Sequence, residues 1–144
     1  MATLLFYKGT KAENPEATLL DRFICYVTKS KYSHVELSLG TPSHYLRNCI
    51  SASTRDGGVR VRLINVSSDH WDIAELDETV DYEWVVSQVG KKYDWVGLLS
   101  TVLRTPILAS NDKWFCSELI ATALNIKKPY LQTPESIFRM VVRK

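Results

Sequence analysis

Two segments far apart in this chain carry the two halves of a thiol nucleophile: Tyr32-Ser33-His34-Val35-Glu36-Leu37 and Trp114-Phe115-Cys116-Ser117-Glu118-Leu119-Ile120. A thiol attacks a carbonyl carbon well only as the thiolate. An adjacent imidazolium and the positive end of a helix each lower a thiol's pKa. His34 lies on an alternating segment and Cys116 at the opening of an amphipathic one. Such partners need only meet in space, so the order His before Cys is no obstacle. The chemistry expected of this pair is attack on an amide or ester, proton transfer through the imidazole, and an acyl-thioester intermediate resolved by water or another acceptor.

An imidazole base needs a third group to hold its tautomer and ring orientation. If the turn after β-like residues 32–40 is symmetric about Pro42 and Ser43, Ser51 falls opposite His34, and a slip of two residues would substitute Ser53. Cross-strand neighbours have Cβ atoms about 5 Å apart, within reach of a short side chain or a bridging water. Glu36, two residues along the same strand, is the charged alternative. At the cysteine, Asn111 or Asp112 is placed to cap the helix, and the unpaired backbone N–H of Cys116 is the expected oxyanion donor. A competing reading is that Cys116 is merely buried, because it shares a helical face with Ile120 and Ala123.

The elements that must position these residues follow from periodicity. Ala2 to Tyr7 reads as a strand, and Glu16 to Thr28 as a helix whose Leu19, Leu20, Phe23, Ile24 and Val27 at helical spacing are expected to form one buried face. Cys25 within it reads as a small hydrophobe. From Tyr32 the period becomes two, with Val35, Leu37 and Leu39 on one face and His34, Glu36 and Ser38 on the other. Gly40-Thr41-Pro42-Ser43 is a turn and Tyr45 to Ser53 the return strand; Asp56-Gly57-Gly58 turns again into a strand through Val59, Val61 and Leu63. Trp71 to Leu76 is a further short strand. Helices are expected at Val80 to Gly90, Trp95 to Leu103, Lys113 to Ile126 and Thr133 to Val142, the last opened by an N-cap threonine and a proline. Strands gathered in the middle and helices around them indicate α+β, with a small, mostly antiparallel sheet flanked by helices.

At 144 residues and 45% apolar content the chain suits a single domain, 1–144. Its 18 basic and 16 acidic side chains leave +2, without the positive stripe that nucleic-acid binding demands. Cys25, Cys49 and Cys116 are odd in number and widely spaced, which argues against a disulfide framework and for a reducing compartment. His34, His44 and His70 are scattered, so no metal and no cofactor is expected. The longest apolar stretch, Trp95 to Leu103, is shorter than the roughly 20 residues that span a bilayer. With no secretory signal pattern at the start, a cytoplasmic location is expected.

Taken together, Ser33-His34-Val35-Glu36, Ser51-Ala52-Ser53 leading to Gly57-Gly58-Val59-Arg60, Gly90-Lys91-Lys92-Tyr93-Asp94-Trp95, and Phe115-Cys116-Ser117-Glu118-Leu119 resemble the circularly permuted branch of the NlpC-type papain-like cysteine hydrolases. YiiX-like bacterial proteins and small phage-encoded relatives are nearest, and lecithin retinol acyltransferase is more distant. The resemblance covers Ser33 to Ile126. It implies Cys116 as nucleophile, His34 as base, and a third polar residue near Ile50-Ser51-Ala52, where serine stands in place of the usual acid, amide or histidine. It implies a thiol hydrolase of peptide or peptidoglycan-like substrates, and host cytoplasm if the chain is phage-encoded. The alternatives are a binding or host-interaction module with decayed chemistry, or a lipid acyltransferase. The Tyr93-Asp94 segment is expected to be structural.

Overall fold

A computed structural model describes residues 2–41, 43–67, 69–102 and 112–143. Strands β1 (Ala2–Lys8), β2 (Tyr32–Gly40), β3 (Leu46–Ser53), β4 (Gly58–Asn65), β5 (Trp71–Leu76), β6 (Lys92–Tyr93) and β7 (Lys113–Trp114) form one sheet in the order β5-β1-β2-β3-β4-β6-β7. Every neighbouring pair is antiparallel except β6 and β7. Helices are α1 (Leu19–Thr28), α2 (Tyr82–Ser87), α3 (Trp95–Val102), α4 (Cys116–Ala123) and α5 (Pro134–Val142). The protein is thus a mixed α+β molecule with a mostly antiparallel sheet. Leu103 and Pro42, placed by sequence in a helix and a turn, lie outside the described residues.

The helix starts follow local chemistry. Thr18 caps α1 and Thr133 caps α5, each through a reciprocal capping box, with Asp21 and Ser136 as the returning side chains. Pro134 occupies the first turn of α5. Leu4, Phe6, Val35, Leu37, Ile50 and Ala52 from the sheet share one buried apolar cluster with Leu119 and Ile120 of α4 and Ile137 of α5.

Two irregularities in β2 matter for the site. Tyr7 pairs with His34 but Lys8 with Tyr32, so Ser33 has no opposite number on β1. This bulge reverses the alternation: Tyr32 and Val35, of opposite parity, both enter the core. On the other side Leu37 pairs with Ile50 and Ser38 with Cys49, and the register shifts before Gly40 meets Asn48. Carried along β2, this pairing puts Ser51 opposite Glu36 and Ser53 opposite His34. The symmetric turn expected from the sequence is therefore corrected by two residues, because the irregularity near Gly40 makes the hairpin asymmetric.

The short strands β6 and β7 were not anticipated, and both bear on the site. Gly58 makes room for β6: a Cβ there would lie 2.1 Å from the Lys91 carbonyl oxygen. The backbone then bonds Val59 N–H to Lys91 O at 2.8 Å and Tyr93 N–H to Gly57 O at 2.9 Å. Parallel pairing of Tyr93 with Trp114 fixes the segment that leads into Cys116.

Candidate active site

Cys116 is the first residue of α4, after Phe115 in extended conformation at the N-cap. The N-cap position thus falls to Phe115 and not to Asp112 as expected, and Asn111 lies outside the described residues. The helix begins four residues later than Asp112 because Lys113 and Trp114 are held in β7. Instead Glu118, at the third position of the helix, reaches back to the Phe115 backbone N–H. Ser117 ties the same turn to the Gln132 carbonyl at 2.7 Å.

His34 and Cys116 are brought together: the Cys116 side chain is close enough to the imidazole to help raise its pKa. The ring's Nε2 lies 2.7 Å from Glu36 Oε1. Glu36 is fully buried, and both of its carboxylate oxygens are hydrogen-bonded. Arg60 of β4 donates from Nη1 to Glu36 Oε2 at 2.8 Å and from Nη2 to Oε1 at 2.5 Å, while its Nε bonds Asp56 at 2.9 Å. A chain of alternating charge, Asp56–Arg60–Glu36–His34, thus ends at the sulfur.

The ring partner is Glu36, and Ser51 does not fill that place. Its hydroxyl donates to the Val35 carbonyl at 2.6 Å. Since Ser51 pairs with Arg60 on β4 and falls opposite Glu36 on β2, the three residues form one row across the sheet. Strands two apart are separated by roughly 10 Å, and a small side chain in the middle lets the long guanidinium arm cross to the carboxylate. Arg60 is the site residue that sequence reasoning did not single out. Its signal was register: a strand-borne arginine in the same row as Glu36.

The charges explain one another. Burial alone would lower the His34 pKa, but the Glu36 carboxylate and, after it, the neighbouring Cys116 side chain outweigh it and raise the pKa to about 10. Burial alone would raise the Glu36 pKa, and the His34 imidazolium and Arg60 hold it below its ordinary value. The arrangement therefore favours imidazolium at neutral pH. The other two thiols lack such a partner: burial pushes Cys25 to about 11 and Cys49 to about 12. All three cysteines are free thiols.

Around Cys116 the second layer is polar and buried. Asp94 caps α3 by accepting from Gly97 N–H at 2.8 Å, and a Cβ at Gly97 would lie 2.3 Å from Asp94 Oδ2. Glu118 is pushed up to about 7 by burial and by the charge of Asp94. Its Oε2 has no hydrogen-bond partner among the described residues. Burial and the charges of Cys116, Asp94 and Glu118 raise Tyr93, so it remains a neutral phenol beside the site.

Among the described residues no group of three or more His, Cys, Asp or Glu is arranged to hold a metal ion, and no helix is long and apolar enough to cross a membrane. No family model, curated protein or solved structure matches the chain.

Proposed function

We propose that this protein is a thiol hydrolase of permuted papain-like, NlpC-type descent that cleaves an amide or ester bond through an acyl-thioester. The observation that carries the reading is the placement of one imidazole between the Cys116 sulfur and the Glu36 carboxylate. In this mechanism the Cys116 thiolate forms a C–S bond to the carbonyl carbon. The oxyanion gathers at the first-turn N–H groups of α4, including that of Cys116. Collapse breaks the C–N or C–O bond, and the His34 imidazolium gives its proton to the departing nitrogen or oxygen. His34, now neutral, takes a proton from water, which attacks the thioester; collapse breaks the C–S bond, releases the acid and restores the Cys116 thiolate beside the His34 imidazolium.

Glu36 holds the ring and its charge throughout, and Arg60 holds Glu36. The decayed-module alternative drew its support from serine in the third position. With a carboxylate on the ring, that support falls away.

Intact-mass measurement after exposure to 4-nitrophenyl acetate tests the reading. An acetyl adduct confined to Cys116, labile to hydroxylamine and absent from Cys116→Ala, is expected. Acetylation spread over lysines with none on Cys116 would overturn it.

A further inference from the structure

Three spaces adjoin at Ile24, the smallest of them lined by Cys116, and their chemistry differs by side. A gap with room for about one water-sized group, ≈ 10 Å³, is lined by Cys116 with Ile24, Ser33, Tyr93 and Leu98. Ile24, Ser33 and Tyr93 also line a larger cleft of ≈ 270 Å³ that contains His34. Ile24 and Leu98 continue instead into a groove of ≈ 250 Å³ between α1 and α3, walled by Leu20, Phe23, Val27, Trp95 and Leu99. The gap at Cys116 thus shares walls with a polar cleft on one side and an apolar groove on the other.

We infer that the apolar groove binds the acyl portion of the substrate and the His34 cleft binds an anionic leaving group. This rests on the proposed thiol hydrolase reading, from which the orientation follows. The leaving group must reach the imidazole that protonates it, so it occupies the cleft containing His34. The acyl part stays on the sulfur after cleavage and needs the other exit. In the groove Phe23 is 60% and Leu99 55% exposed, and together with Leu20, Val27 and Trp95 they make a contiguous apolar surface that an acyl chain can cover.

The cleft carries Arg55, Arg60 and Arg62 against Asp21 and Glu36. Arg60 is consumed by Glu36 and Asp56, whereas Arg55 reaches Asp21 only at 3.8 Å and Arg62 reaches Asp56 only at 3.9 Å. Two weakly paired, solvent-facing guanidiniums beside the leaving-group position suit a carboxylate or phosphate.

The test compares acetyl and octanoyl esters of 4-nitrophenol, with octanoate and acetate binding to Cys116→Ala measured by calorimetry. The octanoyl ester should be preferred in kcat/KM by about tenfold or more, given the transfer energy of each buried methylene. Phe23→Asn with Leu99→Asn, both at exposed positions, should shrink that ratio to near one. Octanoate should bind Cys116→Ala and acetate should not. Equal turnover of both esters, or a preference untouched by the groove variants, overturns the acyl assignment while leaving the hydrolase reading intact. Octanoate binding without acylation by any ester sinks the hydrolase reading and keeps the groove. For the cleft, replacing 4-nitrophenol by 4-hydroxy-3-nitrobenzoate should raise kcat/KM in the parent relative to Arg55→Gln/Arg62→Gln. An identical ratio in both proteins overturns the anionic half.

Discussion

Arg60 reaches across β3 and places both terminal nitrogens on the Glu36 carboxylate, at 2.8 and 2.5 Å, over the small side chain of Ser51. A buried carboxylate paired in this way stays ionised, which is the state that an imidazolium beside it requires. The ring of His34 thereby inherits its charge from two strands away.

Glu36→Gln should cut the alkylation rate of Cys116 at neutral pH by about a hundredfold, the scale of an oriented proton-transfer group. Ser51→Ala should leave that rate within about twofold and cost about 1 kcal/mol of stability through the lost hydrogen bond to the Val35 carbonyl. Denaturant midpoints measured beside the alkylation rates separate the two effects. The reverse pattern would return the ring-holding role to Ser51.

The charge on His34 sets a pH signature. Because the folded pKa stands near about 10, above the ordinary imidazole value, the stability this group contributes is complete below the ordinary value and is lost as pH rises through about 10. Nitrogen-15 NMR should find His34 protonated at pH 8 and titrating near 10. In Glu36→Gln the titration should move down, since the neighbouring negative charge is gone. A ring already neutral at pH 8 in the parent would contradict the ion-pair description.

Glu118 works in the opposite sense. Its folded pKa is raised to about 7 by burial and Asp94, so the fold prefers the protonated carboxyl, and stability falls as pH climbs through about 7. Glu118→Gln keeps an acceptor for the Phe115 N–H and removes the charge. It should melt roughly 3 °C or more above the parent at pH 8, with the difference fading below pH 5. A melting point lower than the parent at pH 8 would mean that the carboxylate charge supports α4.

Gly58→Ala tests how the sheet positions the site. The added methyl would meet the Lys91 carbonyl, which is backbone and cannot swing away. A loss of roughly 1–3 kcal/mol is expected, with slower Cys116 alkylation because β6 carries Tyr93 and aligns β7. Unchanged stability would show that β6 can shift freely.

Much of this was legible in the residues. The two-residue period from His34 and the threonine-proline start of α5 each report a local preference that tertiary packing left in force, whereas the spacing of Leu19 to Val27 marks the helix but not its buried face: Leu19, Leu20 and Phe23 are exposed and Ile24 and Cys25 are buried. The pairing of His34 with Cys116 was legible as chemistry, although a merely buried cysteine sharing a face with Ile120 and Ala123 was the competing reading. What failed was geometry carried by single residues. The unpaired Ser33 and the asymmetry near Gly40 leave no periodic trace, yet they decide which residue faces the ring. The strands β6 and β7 are two residues each, too short for a pattern, and they displaced the expected start of α4. Arg60 looked like one of several outward arginines until the row Glu36-Ser51-Arg60 was set by pairing.

The most direct measurement is site-resolved alkylation with iodoacetamide at pH 7, read by peptide mass mapping in the parent and in His34→Ala. The account predicts that Cys116 reacts far faster than Cys25 and Cys49, whose burial holds them as thiols, and that the advantage disappears in His34→Ala while the fold persists. Three cysteines reacting at similarly slow rates in the folded parent, or a Cys116 rate indifferent to His34, would contradict it.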